Sequence, residues 1–410
     1  MNVKYLVVGG GLAADSAVKA LRKADPQGRT LLVSEEGVAP YKRPPLSKGL
    51  WQSGASAPPD LGTAGAGAEL LLGRRAVALD VAASSVTLDD GTVVGYQRVL
   101  LATGARARSL QALEGVPNVV SYRTFDDYLA VRQHVEPGAR VTVVGGGFIG
   151  AEMAAALTGQ GASVTMVFPE PHVGGGRFPG SVSNTVDADF QSRGVQLLPG
   201  RTVVSASEGG SGPLLRLSDD SEVHADLVVV GVGAVANDEL AAAAGLLTAG
   251  GVLVDASLRA ATAAGSTEGV FAAGDVAVFD WPQLGRRMRI EHEDNAYSMG
   301  SAAARFMIAS LGEVPSGELA AGEYTHLPFF YSDLFDNGYE AVGLLDPRLE
   351  QVEDWRVPGK EGVVYYLEDG LVRGVLLWNT WGQVDAARDL IDGATPYTAE
   401  ELIGRLPADD

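Results

Sequence analysis

The chain has 410 residues, so two or three domains are expected. Its formal net charge is −20, with 51 acidic and 31 basic residues, which disfavours nucleic acids and anionic membranes as partners. It contains no cysteine, which excludes a redox disulfide, iron–sulfur ligation and thiolate zinc sites on this chain, and its five scattered histidines predict no metal site. No apolar run reaches transmembrane length, so we expect a soluble cytoplasmic protein.

The chain opens on a strand, a glycine turn and a helix. Residues 5–8 are apolar and β-branched, as in a buried parallel strand, and residues 15–21 carry apolar side chains at helical spacing. Between them lies Gly9-x-Gly11-x-x-Ala14, where the glycines permit a tight turn and let backbone approach a pyrophosphate at the helix N-terminus. The cofactor-binding residues predicted in this turn are Gly9, Gly11, Leu12, Ala13 and Ala14.

A second strand, residues 31–34, ends at Glu35 and Glu36. Glu35 follows Gly11 by 24 residues, where an acid should bind a ribose diol. Strand, turn, helix, second strand and acid together predict a dinucleotide-binding fold. The alternative is an ordinary tight βα turn.

The following segment combines prolines, cations and small residues. Residues 40–45 are extended by their prolines, residues 46–51 can form a short helix, and Arg43 and Lys48 would face the first phosphate site. Residues 54–67 are predicted to be a flexible surface loop. A β-meander follows at residues 76–80, 85–88 and 98–101 and ends in Ala102-Thr103-Gly104.

The opening pattern then repeats. A strand (residues 140–144), a helix (151–157) and a further strand (163–168) surround Gly145-x-Gly147-x-x-Gly150, which predicts a second dinucleotide site. Its predicted binding residues are Gly145, Gly147, Phe148, Ile149, Gly150 and Glu170. Glu170 should accept a ribose 2′-OH and repel a 2′-phosphate, which favours NADH over NADPH. Arg177 could oppose that preference, but we expect a solvated loop arginine.

The last third of the chain contains two further features. A strand at residues 227–230 ends in Gly231-Val232-Gly233, and an apolar strand at residues 269–275 ends at Gly274-Asp275. Asp275 can hydrogen-bond a ribityl hydroxyl or cap the next segment, and the two roles are compatible. From about Tyr324, aromatic-rich strands, a helix at residues 384–391 and a capping box at residues 398–401 predict a separate α+β domain.

Both glycine turns, Ala102-Thr103-Gly104 and Gly274-Asp275 resemble the two-dinucleotide-binding flavoproteins of the pyridine nucleotide-disulphide oxidoreductase superfamily. The segments YKRPPLSKGLW (41–51), YSD (331–333), GYEAVG (338–343) and VLLWN (375–379) resemble its branch of apoptosis-inducing factors and ferredoxin or rubredoxin reductases. The resemblance implies an α/β fold with two Rossmann-like folds, the NAD(H)-binding one inserted into the FAD-binding one. The implied domains are 1–112 with 239–321 for FAD, 113–238 for NAD(H), and 322–410 as the C-terminal α+β domain.

The resemblance also implies roles for individual residues. Lys48 and Glu152 correspond to the ion pair beside flavin N5, with a surface lysine and a helix N-terminal acid as the alternatives. Arg43 and Arg108 would neutralise the FAD pyrophosphate. Positions lining the flavin or the nucleotides are Glu36, Val77, Ala102, Thr103, Gly104, Gly231, Gly233, Gly274, Asp275, Glu291, His292 and Tyr331. Tyr331 would lie against the isoalloxazine ring, with a core aromatic as the alternative.

These observations favour an FAD protein that takes hydride from NADH and passes electrons to a ferredoxin-like or other small acceptor. Arg286, Arg287 and Arg289 are the one tight basic cluster that could dock an acidic ferredoxin, unless they pair with neighbouring acids. The alternative is a slow NADH-binding redox sensor, with a charge-transfer complex of reduced flavin and NAD and an NADH-linked homodimer. The chain departs from the family at two places. Ala236 stands where the family usually has a proline. Segment 349–362 is short and lacks the long insertion of the animal apoptosis proteins, which disfavours a DNA-binding role.

Overall fold

The computed structural model describes residues 1–174, 176–210, 212–312 and 322–406. The chain divides into two compact units. The first comprises segments 1–42, 58–106 and 235–328, and the second comprises segments 43–57, 107–234 and 329–410. The predicted three-domain boundaries stay a prediction, and the predicted end of the FAD-binding domain at residue 321 lies outside the described residues.

The helices of the described residues have the following bounds: α1 (Leu12–Ala24), α2 (Gly49–Ser53), α3 (Phe125–Arg132), α4 (Phe148–Gly159), α5 (Gly180–Ser192), α6 (Glu239–Ala243), α7 (Glu293–Ala309), α8 (Val384–Asp392) and α9 (Ala399–Leu402).

The strands of the described residues have the following bounds: β1 (Asn2–Val8), β2 (Thr30–Ser34), β3 (Glu69–Leu72), β4 (Ala76–Asp80), β5 (Ser85–Leu88), β6 (Val93–Leu101), β7 (Ala105–Ala107), β8 (Val119–Ser121), β9 (Arg140–Val144), β10 (Ser163–Phe168), β11 (Gln196–Pro199), β12 (Val203–Gly209), β13 (Gly212–Leu217), β14 (Glu222–His224), β15 (Leu227–Val230), β16 (Ala234–Ala236), β17 (Val252–Leu253), β18 (Arg259–Thr262), β19 (Gly265–Ala272), β20 (Ala277–Trp281), β21 (Arg286–Met288), β22 (Phe329–Leu334), β23 (Asn337–Gly343), β24 (Glu350–Val357), β25 (Glu361–Glu368) and β26 (Leu371–Trp378).

The first unit is built on a mixed sheet in the order β18-β19-β6-β1-β2-β3. Strands β19, β6, β1, β2 and β3 are mutually parallel, whereas β18 is antiparallel to β19, and β4 and β5 form the predicted meander with β6. The apolar residues of β1 and β2 are buried on both faces of this sheet, as expected of central parallel strands. This is the predicted Rossmann-like arrangement.

Helices α1 and α7 pack closely in the first unit. A Cβ added to Gly300 on α7 would lie 2.3 Å from the carbonyl oxygen of Ala13 on α1. The two helix backbones can approach this closely because neither position carries a bulky side chain. Alanines of both helices, Ala14, Ala17 and Ala303 among them, are fully buried.

The second unit contains a parallel five-stranded sheet and two antiparallel sheets. The parallel sheet has the order β11-β10-β9-β15-β8, and β12, β13 and β14 form a three-stranded sheet. The aromatic-rich strands at the C-terminal end form the antiparallel order β22-β23-β26-β25-β24 and carry α8 on β23 and β26. The mixed α/β fold class with two Rossmann-like sheets and a C-terminal α+β part is therefore confirmed.

One local prediction is wrong. Residues 46–51 do not form one helix, because a 3₁₀ turn (Pro44–Ser47) and α2 are separated at Lys48, which has φ −132° and ψ −109°. Residues 54–67 lie mostly at the surface, as predicted, and include the 3₁₀ turn Thr63–Ala66, whereas their flexibility stays a prediction. Thr63 is fully buried and donates a hydrogen bond to Asp15 Oδ1 at 2.6 Å, which fixes this segment on α1.

None of the helices within the described ranges combines the length and the hydropathy that a bilayer crossing requires.

The close approach of α1 and α7 predicts that Gly300→Ala destabilises the protein. Alanine normally stabilises a helix interior relative to glycine, but here the added methyl would collide with the α1 backbone. We expect the free energy of unfolding to fall by about 1–3 kcal/mol, as for other overpacked sites. Urea titration measures it. Gly159→Ala is the matched control, because that helical glycine has open space around it. Equal stability of the two variants would contradict the prediction.

Candidate functional site

The first candidate site lies at the carboxyl ends of β19, β6 and β1, which are neighbours in the sheet of the first unit. Gly9 follows β1 with φ 141°, and a Cβ there would lie 2.0 Å from the Ala102 carbonyl oxygen, so glycine is required. A Cβ on Gly274 would lie 2.8 Å from the Ala13 side chain. The structure therefore brings four of the predicted FAD-binding residues together at one sheet edge.

The N-terminus of α1 suits a phosphate. Gly11 is its N-cap residue, with no side-chain capping hydrogen bond and open space where a Cβ would be. The first-turn N–H groups of a helix lack intrahelical partners, and the helix dipole favours an anion near them. The backbone around Gly11 therefore fits the pyrophosphate of a dinucleotide.

The other predicted residues of the first unit line the turns beside this edge. Thr103 Oγ1 donates to the Asn237 carbonyl at 2.7 Å, and Asn237 Nδ2 donates back to the Thr103 carbonyl at 2.9 Å. Arg289 Nη1 donates to the Asp275 carbonyl oxygen at 3.0 Å and forms an ion pair with Glu291. Arg289 thus ties the turn that carries Asp275 to Glu291.

The remaining predicted positions of the first unit are less enclosed. Glu35 and Val77 are exposed, and Gly104 has φ 64° in the turn after β6. Glu36 accepts a hydrogen bond from Tyr41 at 2.6 Å, and His292 is the N-cap residue of α7. Their roles toward FAD stay predictions.

The second unit repeats the glycine geometry at the carboxyl ends of β9 and β15. Gly145 has φ 113°, and its Cβ would lie 2.4 Å from the Gly231 carbonyl oxygen. A Cβ on Gly150 would lie 2.0 Å from the Gly145 carbonyl oxygen, so α4 packs directly on the turn. Gly147 is the N-cap residue of α4, again without a side-chain cap and with open space beside it. This turn also fits a pyrophosphate.

Glu170 follows β10 and has an unsatisfied oxygen. Its Oε2 atom is buried and accepts no hydrogen bond from the described residues. Burying a polar atom without a partner is costly, so this oxygen is a candidate for a hydrogen bond from a ligand. A ribose diol would supply the missing donor. Gly174 N–H donates to the Gly146 carbonyl at 2.8 Å and fixes the Glu170 loop on the glycine turn.

Arg177 is not the solvated loop residue that we expected. Its guanidinium carbon lies 4.2 Å from the ring centroid of Phe148, the first residue of α4, and its Nη1 atom donates to the Gly174 carbonyl at 3.2 Å. A cation stacked on an aromatic face is attracted by the ring electrons. Arg177 is thus held at the same end of the parallel sheet as Glu170.

Lys48 and Glu152 form the ion pair that the resemblance implies. Lys48 Nζ lies 2.9 Å from Glu152 Oε1, and the side chains are 17% and 7% exposed. Lys48 occupies the break between two helical turns, and Glu152 lies in the first half of α4. A carboxylate buried this far requires a counter-charge and hydrogen bonds. Whether the pair acts beside a flavin stays a prediction.

Sequence analysis missed the other partners of this pair. Ser47 Oγ donates to Glu152 Oε2 and Ser332 Oγ to Glu152 Oε1, both at 2.5 Å. Lys48 Nζ also lies 3.4 Å from Asp333 Oδ2. It is 5.3 Å from the centroid of the Tyr331 ring. The available signal was adjacency, because Ser47 precedes Lys48 and Ser332 lies inside the YSD segment.

Several predicted arginines already have protein partners. Arg43 Nη1 donates to the Arg123 carbonyl at 3.2 Å. Arg287 donates two hydrogen bonds to Asp280, at 2.8 and 2.6 Å, and lowers the pKa of that carboxyl. Arg289 is likewise paired, with Glu291, so both of these arginines follow the internal-pairing alternative. The Arg108 side chain is exposed. Its backbone N–H donates to the Gly233 carbonyl at 2.9 Å.

Comparison with known proteins identifies relatives along the whole chain. Residues 3–300 match the model of the family described as pyridine nucleotide-disulphide oxidoreductase. The chain is 30% identical to the ferredoxin–NAD(+) reductase component of a 3-phenylpropionate/cinnamic acid dioxygenase from Photorhabdus laumondii, over 95% of this chain and 96% of that protein. It is 29% identical to a mitochondrial apoptosis-inducing factor 1 protein of Drosophila melanogaster over 99% of this chain, and spans 65% of that protein's length.

Solved structures give the same result. The chain superposes on a chain of the covalent putidaredoxin reductase–putidaredoxin complex with a TM-score of 0.87. The two are 27% identical, and the match covers 98% of this chain and 95% of that chain.

The Lys48–Glu152 contact predicts coupled effects of substitution. Lys48→Ala and Glu152→Ala should each slow reduction of a bound flavin by about tenfold or more, since hydrogen bonds to charged groups contribute about 1.5–3 kcal/mol. The double variant should lose less than the product of the two effects, and stopped-flow absorbance measures all three. Lys360→Ala, at an exposed lysine of the same unit, is the control. Strict additivity would show that the residues do not act as a pair.

Proposed function

The chain belongs to the pyridine nucleotide-disulphide oxidoreductase family and is an NADH-dependent flavin oxidoreductase that uses FAD, and on that premise we propose that it passes electrons to a small ferredoxin-type protein. One observation carries the proposal beyond the family: the chain has no cysteine at all. Electrons cannot move to a disulfide of this chain, so they must leave to an external acceptor. One NADH would reduce two one-electron acceptors and release one proton.

Each candidate site has a defined task in this proposal. The N-terminus of α1 at Gly11 binds the FAD pyrophosphate, and the N-terminus of α4 at Gly147 binds that of NADH. Glu170 holds the adenosine ribose through its unsatisfied Oε2 atom. When bound, FAD accepts hydride and can release electrons singly.

Lys48 supplies a positive charge toward the flavin ring in this proposal. A cation near the ring stabilises electron density that arrives there. Glu152 keeps the ammonium in one position, which avoids reorganisation during the reaction. The contribution of the protein is therefore to bind, orient and supply fixed charge.

Glu170 predicts a preference for NADH over NADPH. A 2′-phosphate would be repelled by this carboxylate, whereas a 2′-OH can donate to it. Glu170→Ala should weaken NADH binding by about ten- to a hundredfold and leave NADPH binding unchanged or tighter. Titration of each nucleotide by quenching of flavin fluorescence measures both affinities. Glu222→Ala, at an exposed acid of the same unit, is the control. A wild-type preference for NADPH would assign ribose recognition to Arg177 instead.

The second candidate function is the redox sensor, which the similarity to the apoptosis-inducing factor protein favours. A sensor would be reoxidised slowly by any acceptor. It would keep a long-wavelength charge-transfer band after NADH addition and form a homodimer in response to NADH. A carrier reductase would do neither under turnover.

Reoxidation kinetics distinguish the two functions. The purified protein should contain about one FAD per chain, and a colourless protein that takes up no flavin would end both hypotheses. After NADH reduction, we expect a [2Fe–2S] ferredoxin, ferricyanide or a quinone to reoxidise the flavin much faster than oxygen does, and disulfide substrates to have no effect. Stopped-flow absorbance gives the rates, and size-exclusion chromatography with light scattering gives the mass. A stable long-wavelength band together with an NADH-induced dimer would favour the sensor.

A further inference from the structure

Glu152 is held by more than its lysine partner. Its two carboxylate oxygens accept hydrogen bonds from Ser47 and Ser332, and both serines are buried. These donors come from the 3₁₀ turn before Lys48 and from β22, whereas Glu152 itself lies on α4. The carboxylate is therefore fixed from two sides independently of Lys48.

Tyr339 lies next to this network in the core. It is directly opposite Ser332 in the β22–β23 ladder, so the two side chains share one face of the sheet. Burial, with a further contribution from the charge of Glu152, raises the pKa of Tyr339 well above its usual range, so the phenol stays protonated.

The ring of Tyr339 cannot move away from Ser332 without repacking the core. It stacks on Trp378 with ring centroids 5.7 Å apart and an interplanar angle of 16°, and it meets Phe178 edge-on at 5.2 Å. Tyr339 is 1% exposed, and Trp378 is completely buried. The position of the ring that lies opposite Ser332 is thus set by aromatic packing.

Lys48, by contrast, has a choice of partners. Its ammonium lies 2.9 Å from the buried Glu152 and 3.4 Å from Asp333, whose side chain is 57% exposed. Solvent screens the attraction of Asp333 more strongly than that of Glu152. The position of the ammonium therefore depends on how firmly the Glu152 carboxylate is presented to it.

We propose that Ser47 and Ser332, the latter opposite the packed Tyr339 ring, form a hydroxyl clamp that fixes the Glu152 carboxylate as the resting partner of Lys48, in competition with Asp333. The two clamp residues are positioning residues that act through Glu152. The kinetic consequence of the clamp rests on the proposed function, since it concerns reduction of a bound flavin. The contacts that define the clamp do not depend on it.

The competition with Asp333 gives a test by rescue. Ser332→Ala should slow flavin reduction by NADH about tenfold, because one hydrogen bond to a charged group is lost. Ser332→Thr, which keeps a hydroxyl, should retain most of the rate. Asp333→Asn added to Ser332→Ala should recover much of the loss, because the competing carboxylate is gone. Ser183→Ala, at a buried serine of the same unit that is not linked to Glu152, is the control. An unchanged rate in Ser332→Ala, or no recovery with Asp333→Asn, would overturn the clamp.

A second readout needs no cofactor turnover. Ser332→Ala and Glu152→Gln should be non-additive in urea unfolding of the full-length protein, because the Ser332 hydroxyl no longer meets a charged acceptor in Glu152→Gln. Ser183→Ala, at a buried serine that donates to the Phe178 carbonyl instead, should be additive with Glu152→Gln. Additivity of Ser332→Ala would overturn the clamp even if flavin reduction by NADH proceeds. Non-additivity in a protein that binds no FAD would keep the clamp and reject the proposed function.

Discussion

The second unit depends on satisfying one buried carboxylate. Glu152 is almost inaccessible to solvent, and an ionised group in that environment is tolerated only with a counter-charge and hydrogen bonds. Its partners come from two segments far apart in sequence, Ser47–Lys48 and β22, and meet the carboxylate on α4. Lys48 meets Glu152 from the break between two helical turns, and residues 43–57 belong to the second unit.

The sequence predicted best what local chemistry determines. Strands β9, β10 and β15 were predicted with their observed bounds, because continuous apolar runs flanked by glycine admit few other structures. Both glycine turns were located for the same reason: Gly9 and Gly145 approach a neighbouring backbone so closely that no other residue fits. The backbone that each glycine approaches lies far along the chain, at Ala102 and Gly231, but the glycine spacing within each turn is local, so a single sequence displays it.

What the sequence could not predict depends on tertiary contacts. Nothing in its periodicity marks the helix break at Lys48, where the side chain forms an ion pair with Glu152. Thr63 is small and polar within a glycine-rich run, and only the buried Asp15 carboxylate explains why it is fixed. Arg177 was expected in solvent because its partner, the Phe148 ring, lies 29 positions earlier in the chain. In each case the partner is distant in sequence.

The stacked pair of Tyr339 and Trp378 gives this molecule an intrinsic optical probe. Two aromatic rings held nearly parallel in an asymmetric core couple their electronic transitions, and the indole N–H of Trp378 is buried with no hydrogen-bond partner among the described residues. The near-ultraviolet circular dichroism and the emission of that indole should therefore respond to any shift of the Tyr339 ring. A repacking around Ser332, which lies opposite this ring, would become visible in the aromatic spectrum of the protein without any added dye.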